Sequence, residues 1–313
     1  MNSGVKQLGE ETVRSIASQF NIPIVGIIDP DPVIEMLPYS KKRREENHGL
    51  IPYVRTKDFL RIDYQSVMAD VKSIIVIGVP YPLISKKINN FDHFAYLSSV
   101  ACGMDYHQTV MRKMDALCEA ISKQFGNAIH FKKFVDNSRL MDKASAWKAG
   151  LGFFGKNNLL INPYYGSAWN IGQILLDKKI LHHKAVPLKN QCGRCRKCLE
   201  SCPNHALGDQ GFQLFYERCI SYLTQKKKLT TDQEKRIQYF LYGCDICQWV
   251  CPFNHRADKI SGQESIVSLD DILNQSEKEI RAHYVNHSLS WQPPSILIRN
   301  ARILKKRCDE NNK

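Results

Sequence analysis

No run of apolar residues in this 313-residue chain approaches the ~20 that a membrane-spanning helix requires, so no span is expected. The opening residues, MNSGVKQLGEETVRSIASQF, carry acids and lack the apolar core of an export signal. A soluble, cytoplasmic protein without membrane contact is the expectation. Low-complexity linkers are absent, and the one internal repeat is a doubled cysteine run. Negative charge is scarce: 31 Asp and Glu face 44 Lys and Arg, a formal net charge of +13. Such a surface attracts nucleic acid, anionic membrane or acidic partners, although a merely soluble basic protein has the same composition. With 43% hydrophobic residues the chain can still bury a sizeable core, and its length suits about two domains.

Cysteine is what the chain has in quantity, eleven in all. CGRCRKCLESCP places Cys192, Cys195, Cys198 and Cys202 in the C-x2-C-x2-C-x3-C-P spacing of bacterial [4Fe–4S] ferredoxins. Two-residue gaps wrap the backbone around one cubane; the wider gap and Pro203 turn the last thiol toward another. CDICQWVCP adds Cys244, Cys247 and Cys251. Two clusters need eight thiolates, and Cys219, in ERCISYL between the runs, is the nearest candidate for the eighth. The assignment is Cys192, Cys195, Cys198 and Cys251 to one cluster, and Cys202, Cys219, Cys244 and Cys247 to the other. A pair of zinc sites is the alternative, since C-x2-C also serves zinc. Disulfides seldom persist in a reducing cytosol. Two oxidised clusters of about −2 each would leave a net charge of about +9. Cys102, Cys118 and Cys308 remain, with Cys118 on an apolar helical face.

Along the chain, residues 8–20 have loosely helical spacing. Strands are expected at 22–28, 73–82, 130–136, 159–163 and 170–177. The clearest amphipathic helix covers 104–125, with Val110, Met114, Leu117, Cys118, Ile121 and Phe125 on one stripe. Met111 and Met114 read as core rather than ligands, and 41–48 (KKRREENH) as a solvated face. Another helix covers 140–149, closed by Gly150, and two more lie near DDILNQ and SILIRNARILKK. The fold class is α+β or α/β. Residues 1–180 form an α/β domain, 181–258 a ferredoxin-like two-[4Fe–4S] domain, and 259–313 a short helical tail.

Two-cluster carriers are short, so the 180 residues ahead of the clusters imply an electron acceptor. Strand ends are where open α/β sheets bind ligands. Asp136 stands at one such end, where it either does chemistry or caps a helix beginning near Ser138. GLGFFGKNNLL (150–160) occupies another turn, with Gly152 and Gly155 free to let backbone approach a large ligand. This stretch is not read as a dinucleotide fingerprint or a Walker loop, which leaves ATP and NAD poorly supported.

VDNSRLMDKASAWKAGLGFFGKNNLLINPYYGS (135–167) resembles the core of epoxyqueuosine reductases. So do GMDYH (103–107), RCISYLTQ (218–225) and YGCDICQWVCPFN (242–254), and the resemblance covers roughly 70–260. It implies a cobalamin-binding N-terminal domain ahead of two [4Fe–4S] clusters, akin to reductive dehalogenases. The implied reaction reduces epoxyqueuosine in the tRNA wobble position to queuosine. By the same resemblance Asp136 is the proton donor, for which burial would have to raise its pKa. The resemblance also implies that Gly155, Lys156, Asn157, Asn158, Gly166 and Ser167 cradle cobalamin. Ser221 and Gln225 lie where the cluster domain meets the corrin. Lys226, Lys227 and Lys228 are candidates for tRNA phosphate contacts, or simply an exposed basic loop.

Tyr106 and His107 match the family's D-Y-H, with His107 structural rather than a cobalt ligand. The implied partners are the tRNA anticodon stem-loop and a reduced flavodoxin or ferredoxin as electron donor; a monomer is expected. The chain departs from the family at Asn137, Ser138 and Arg139, where a small residue and Pro are usual, and in its shorter tail. Two other readings stay open. A dehalogenase-like corrinoid reductase of a small molecule would have the same cofactors without tRNA binding. A non-enzymatic ferredoxin-like electron-transfer subunit would hold clusters without cobalamin.

Overall fold

A computed structural model describes residues 8–311, apart from 53, 55, 85–92, 127, 137, 210–211, 257–258 and 261–264. The chain divides into two compact units. The first takes Met1–Pro80, His107–Gly155 and Leu159–Gly193; the second takes Tyr81–Tyr106, Lys156–Asn158 and Arg194–Lys313. Neither the expected boundary at 180 nor the one at 258 falls at a break between these units.

The first unit is built on four strands in the order Ile24–Ile28, Ser73–Pro80, Trp169–Leu176 and Phe131–Phe134. Every neighbouring pair is antiparallel. This sheet is therefore α+β in kind, and the rule that ligands sit at the carboxyl ends of parallel strands does not locate the site. Ser73–Pro80 pairs flush with Trp169–Leu176, from Ser73 opposite Leu176 to Pro80 opposite Trp169. Both strands are almost wholly apolar because both faces are covered. Helix Tyr106–Phe125 buries the six residues of the expected stripe and leaves its other side polar. Its Cys118 thiol is pushed up to about 12 by burial, which makes it an inert core group. The charge run lies on helix Leu37–Glu46, which has no buried residue and pairs Lys41 with Glu45 and Lys42 with Glu46. The segment expected as a strand at 159–163 is shorter: Leu160–Ile161 pairs with Phe153–Phe154 in a small hairpin.

Gly150 to Lys156 does carry the literal G-x-G-x-x-G spacing, and a Gly-Lys pair as well. The setting is wrong for either phosphate loop. The run follows helix Asp142–Lys148 and enters the hairpin instead of opening a helix, and Asn157 stands where a Walker loop has Ser or Thr. Gly152 is also not open to a ligand: a Cβ there would meet the Ile161 carbonyl oxygen at 2.8 Å, so its role is close approach to its own hairpin partner.

In the second unit Phe94–Leu97 is the middle strand, parallel to Phe240–Tyr242 and antiparallel to Ile266–Ser268. The C-terminal helix Pro294–Asn311 shares a core with this sheet and with the cysteine-bearing segment through Leu297, Ala301, Leu304, Leu241 and Leu223. Asn300 is fully buried there. Its amide donates to the carbonyls of Thr224 and Leu241, both at 2.8 Å. The tail is thus part of the second unit's core.

Candidate functional site

Cysteine-bearing backbone in the second unit is coiled into short turns. Helix Lys197–Glu200 carries Cys198, helix Ile246–Trp249 carries Cys247, and Cys219 caps helix Ile220–Leu223. These turns aim amides at sulfur, as a thiolate needs. The Ala206 N–H donates to Cys202 Sγ at 3.3 Å. The Ser221 and Tyr222 amides face Cys219, and the Ile246 amide faces Cys244. Cys202, Cys219, Cys244 and Cys247 lie close enough for their charges to act on one another, with Cys198 adjoining Cys247. Burial, then these neighbours, raises the thiols of Cys244 and Cys247 well above the ordinary value; burial also raises Cys219. Such a group is stable as thiolates only when metal shares the charge.

All eleven cysteines are free. Among the described residues no three His, Cys, Asp or Glu side chains could share one metal ion.

Asp245, between two of these cysteines, was not singled out by its sequence. Its carboxylate accepts from the Ser99 N–H at 2.5 Å, the Ser99 hydroxyl at 2.6 Å and the Gln248 amide at 2.8 Å. Burial still raises its pKa. The bonds hold the CDIC loop to the turn after Phe94–Leu97. Gly243 precedes the loop with φ +72°, which favours glycine, and a Cβ there would collide with Ser98.

Cys192 and Cys195 lie on the run that leaves the first unit. The Cys192 N–H donates to Asn190 Oδ1 at 3.0 Å, and Lys156 Nζ donates to the Cys195 carbonyl at 2.9 Å. Asn157 and Asn158 are buried, Asn158 with φ +63°. Gly166 turns back on Asn162 through two backbone hydrogen bonds, and Ser167 beside it is buried. Gln225 is engaged inside its own unit: its amide donates to the Ser221 carbonyl at 2.7 Å, and Tyr242 donates to its oxygen at 3.2 Å. Of the three lysines, Lys226 is paired with Glu217 at 2.7 Å, whereas Lys227 and Lys228 are exposed. Tyr106 and His107 open the long helix.

Asp136 lies two residues past strand Phe131–Phe134, with φ +53°. It does not cap a helix, because the next one starts only at Asp142 with Met141 as its N-cap. Asp136 is exposed, so its own surroundings do not supply the expected burial. Asn137 lies outside the described residues. Arg139 donates to the Ser66 carbonyl, which ties its charge to a neighbouring loop.

The acid with a strongly raised pKa is the half-buried Asp142. Burial, then the charge of Asp136, pushes its pKa up to about 7. Sequence reasoning missed both Asp142 and its partner Gln173. The available signal was the Gln173 amide in mid-strand, between Gly172 and the apolar run Ile174–Leu176.

Residues 191–254 match the 4Fe-4S double cluster binding domain, and 61–137 match the family model Epoxyqueuosine reductase QueG, DUF1730. An epoxyqueuosine reductase of Lactococcus garvieae is 31% identical over 306 residues, 95% of this chain and 86% of that protein. One of Staphylococcus aureus is 33% identical over 309 residues, 95% of this chain and 79% of that protein. Among solved structures, epoxyqueuosine reductase with a tRNA-Tyr epoxyqueuosine-modified stem loop is similar at a TM-score of 0.86 and 28% identity, covering 97% of this chain and 82% of that one. The Bacillus subtilis enzyme with its catalytic Asp loop swung out of the active site is similar at 0.86 and 27% identity, with the same coverage. With nearly its whole length matched in sequence, the chain belongs to the epoxyqueuosine reductase family.

Proposed function

We propose that this protein reduces epoxyqueuosine to queuosine in the tRNA anticodon wobble position, using cobalamin and two [4Fe–4S] clusters. The observation that carries the proposal is the union, in one chain, of the double-cluster segment 191–254 with the family-specific segment 61–137, which ends on the Asp136 loop. Functionally, residues 1–180 serve cobalamin and substrate, 181–258 the clusters, and 259–313 supports them.

Cys192, Cys195, Cys198 and Cys251 hold one cluster, and Cys202, Cys219, Cys244 and Cys247 the other. The charges of Cys202, Cys219, Cys244 and Cys247 act on one another, and Cys198 of the first set acts on Cys247 as well. For cobalamin, the buried amides of Asn157 and Asn158 and the buried Ser167 are hydrogen-bonding groups of the kind that an amide-fringed macrocycle can use, so the donor set fits. By the family resemblance, Gly155, Lys156, Gly166, Ser221 and Gln225 are the further candidates for holding it. When bound, cobalamin supplies the low-potential reduction that side chains cannot.

Removing the epoxide oxygen as water consumes two electrons and two protons. Asp136, exposed on the loop after strand Phe131–Phe134, delivers a proton to the departing oxygen. Reduced flavodoxin or ferredoxin supplies electrons to the clusters, while Lys227 and Lys228 meet tRNA phosphates in the cytoplasm.

Incubation of reconstituted protein with epoxyqueuosine tRNA and reductant should give queuosine by nucleoside mass spectrometry, with about eight iron per chain. Asp136→Asn should keep iron and cobalamin absorbance and lose turnover by on the order of a hundredfold. A fully active Asp136→Asn would remove that residue from the chemistry.

A further inference from the structure

Asp136 is exposed, whereas the reaction needs a protonated acid near neutral pH. A second carboxyl lies near enough to feel its charge. Asp142 opens the helix after the Asp136 loop, and that helix packs on the three strands Ile24–Ile28, Ser73–Pro80 and Trp169–Leu176. Asp142 Oδ1 accepts from the amide of Gln173, which is fully buried on Trp169–Leu176 directly opposite Phe134. Strand pairing therefore places Gln173 two residues short of Asp136. The other amide atom, Gln173 Oε1, is buried without a hydrogen-bond partner among the described residues. It is an acceptor that a protonated carboxyl can satisfy after the amide rotates.

We propose that Asp142, held by Gln173, is a positioning and proton-holding residue for Asp136, the two carboxyls sharing a proton that passes to Asp136 after each turnover. The proposal rests on the reductase reading. In each cycle Asp136 gives one proton to the leaving oxygen and regains one from Asp142, which is recharged from water. Asp142 itself does not touch the substrate.

The groups acting on Asp142 are few. Asp136 opposes its ionisation, and burial opposes it more strongly; the Gln173 hydrogen bond and the charges of Arg61 and Lys143 favour it. Tyr64 lies near enough to feel the Asp142 charge, and its own hydroxyl is bonded to Ser145 at 2.7 Å. The three strands under the helix carry no titratable side chain.

The test combines carboxyl infrared difference spectra across a pH titration of the cofactor-loaded protein with single-turnover rates over the same range. Wild type should show a protonated carboxyl band disappearing near pH 7, matched by a fall in rate. Asp142→Asn should abolish that band and slow the reaction at pH 7 by on the order of tenfold. Gln173→Met removes the donor that favours the carboxylate, so band and rate limb should both move to higher pH, by about one unit. Asp142→Glu should restore the limb. A wild-type band that survives in Asp142→Asn, or a limb that Gln173→Met leaves in place, overturns the proposal. Failure of the reductase reading is separate: wild type would then leave epoxyqueuosine tRNA unchanged at every pH while the infrared band still titrates.

Discussion

Asp142 has a cost that is visible without substrate. Its folded pKa of about 7 lies above the ordinary 3.8, so the native state binds its proton more tightly than the unfolded chain does. Stability from this group is complete below about pH 4 and is lost as pH rises through 7. Denaturant melts should therefore show wild type weakening from pH 4 to 8 and Asp142→Asn losing that slope. At pH 8 the variant should be the more stable, by on the order of 2 kcal/mol once partial exposure is allowed for. Asp245 is a different kind of buried acid, engaged by three donors, and its loss would leave those donors unmet. The cysteines were legible because cluster spacing is a local property of the chain. Asp142 and Gln173 were not, because their meaning comes from a strand pairing that joins Phe134 to Gln173.

At the scale of elements, the central strand pair is packed to its limit. A Cβ on Gly78 would meet the Trp169 ring at 2.4 Å and Ile24 Cβ at 2.9 Å. Trp169 is anchored by its indole N–H to the Leu160 carbonyl at 3.2 Å and cannot move aside freely. Gly78→Ala should destabilise the protein by about 1–3 kcal/mol, read as a lower thermal midpoint. The apolar runs at 24–28 and 73–80 and the stripe on Tyr106–Phe125 were readable because their period is set by one element alone. Strand direction was not readable. The order of strands and helices left α/β and α+β both open, and the strand order, which interleaves distant segments, makes every pair in the main sheet antiparallel. Of the two readings open for Asp136, the cap fails because it needs a helix near Ser138, and the chain delays the helix to Asp142.

Across the whole molecule the excess of positive charge makes nucleic-acid binding strongly dependent on salt. Binding of an anticodon stem-loop should weaken with salt, and the double variant Lys227→Ala, Lys228→Ala should lower the log–log slope by about two. Lys226→Ala should change it less, since Glu217 already neutralises that ammonium. An unchanged slope in the double variant would move the phosphate contacts elsewhere. The second unit also gathers its core from distant stretches, pairing Tyr96 with Phe240 and pinning both Thr224 and Leu241 to Asn300 near the carboxyl end. Asn300 lies in sequence after the segments that carry Cys192 to Cys251. The fold around those thiols is thus closed by the helix Pro294–Asn311, and a chain interrupted before it would present the same cysteines on an unfinished frame.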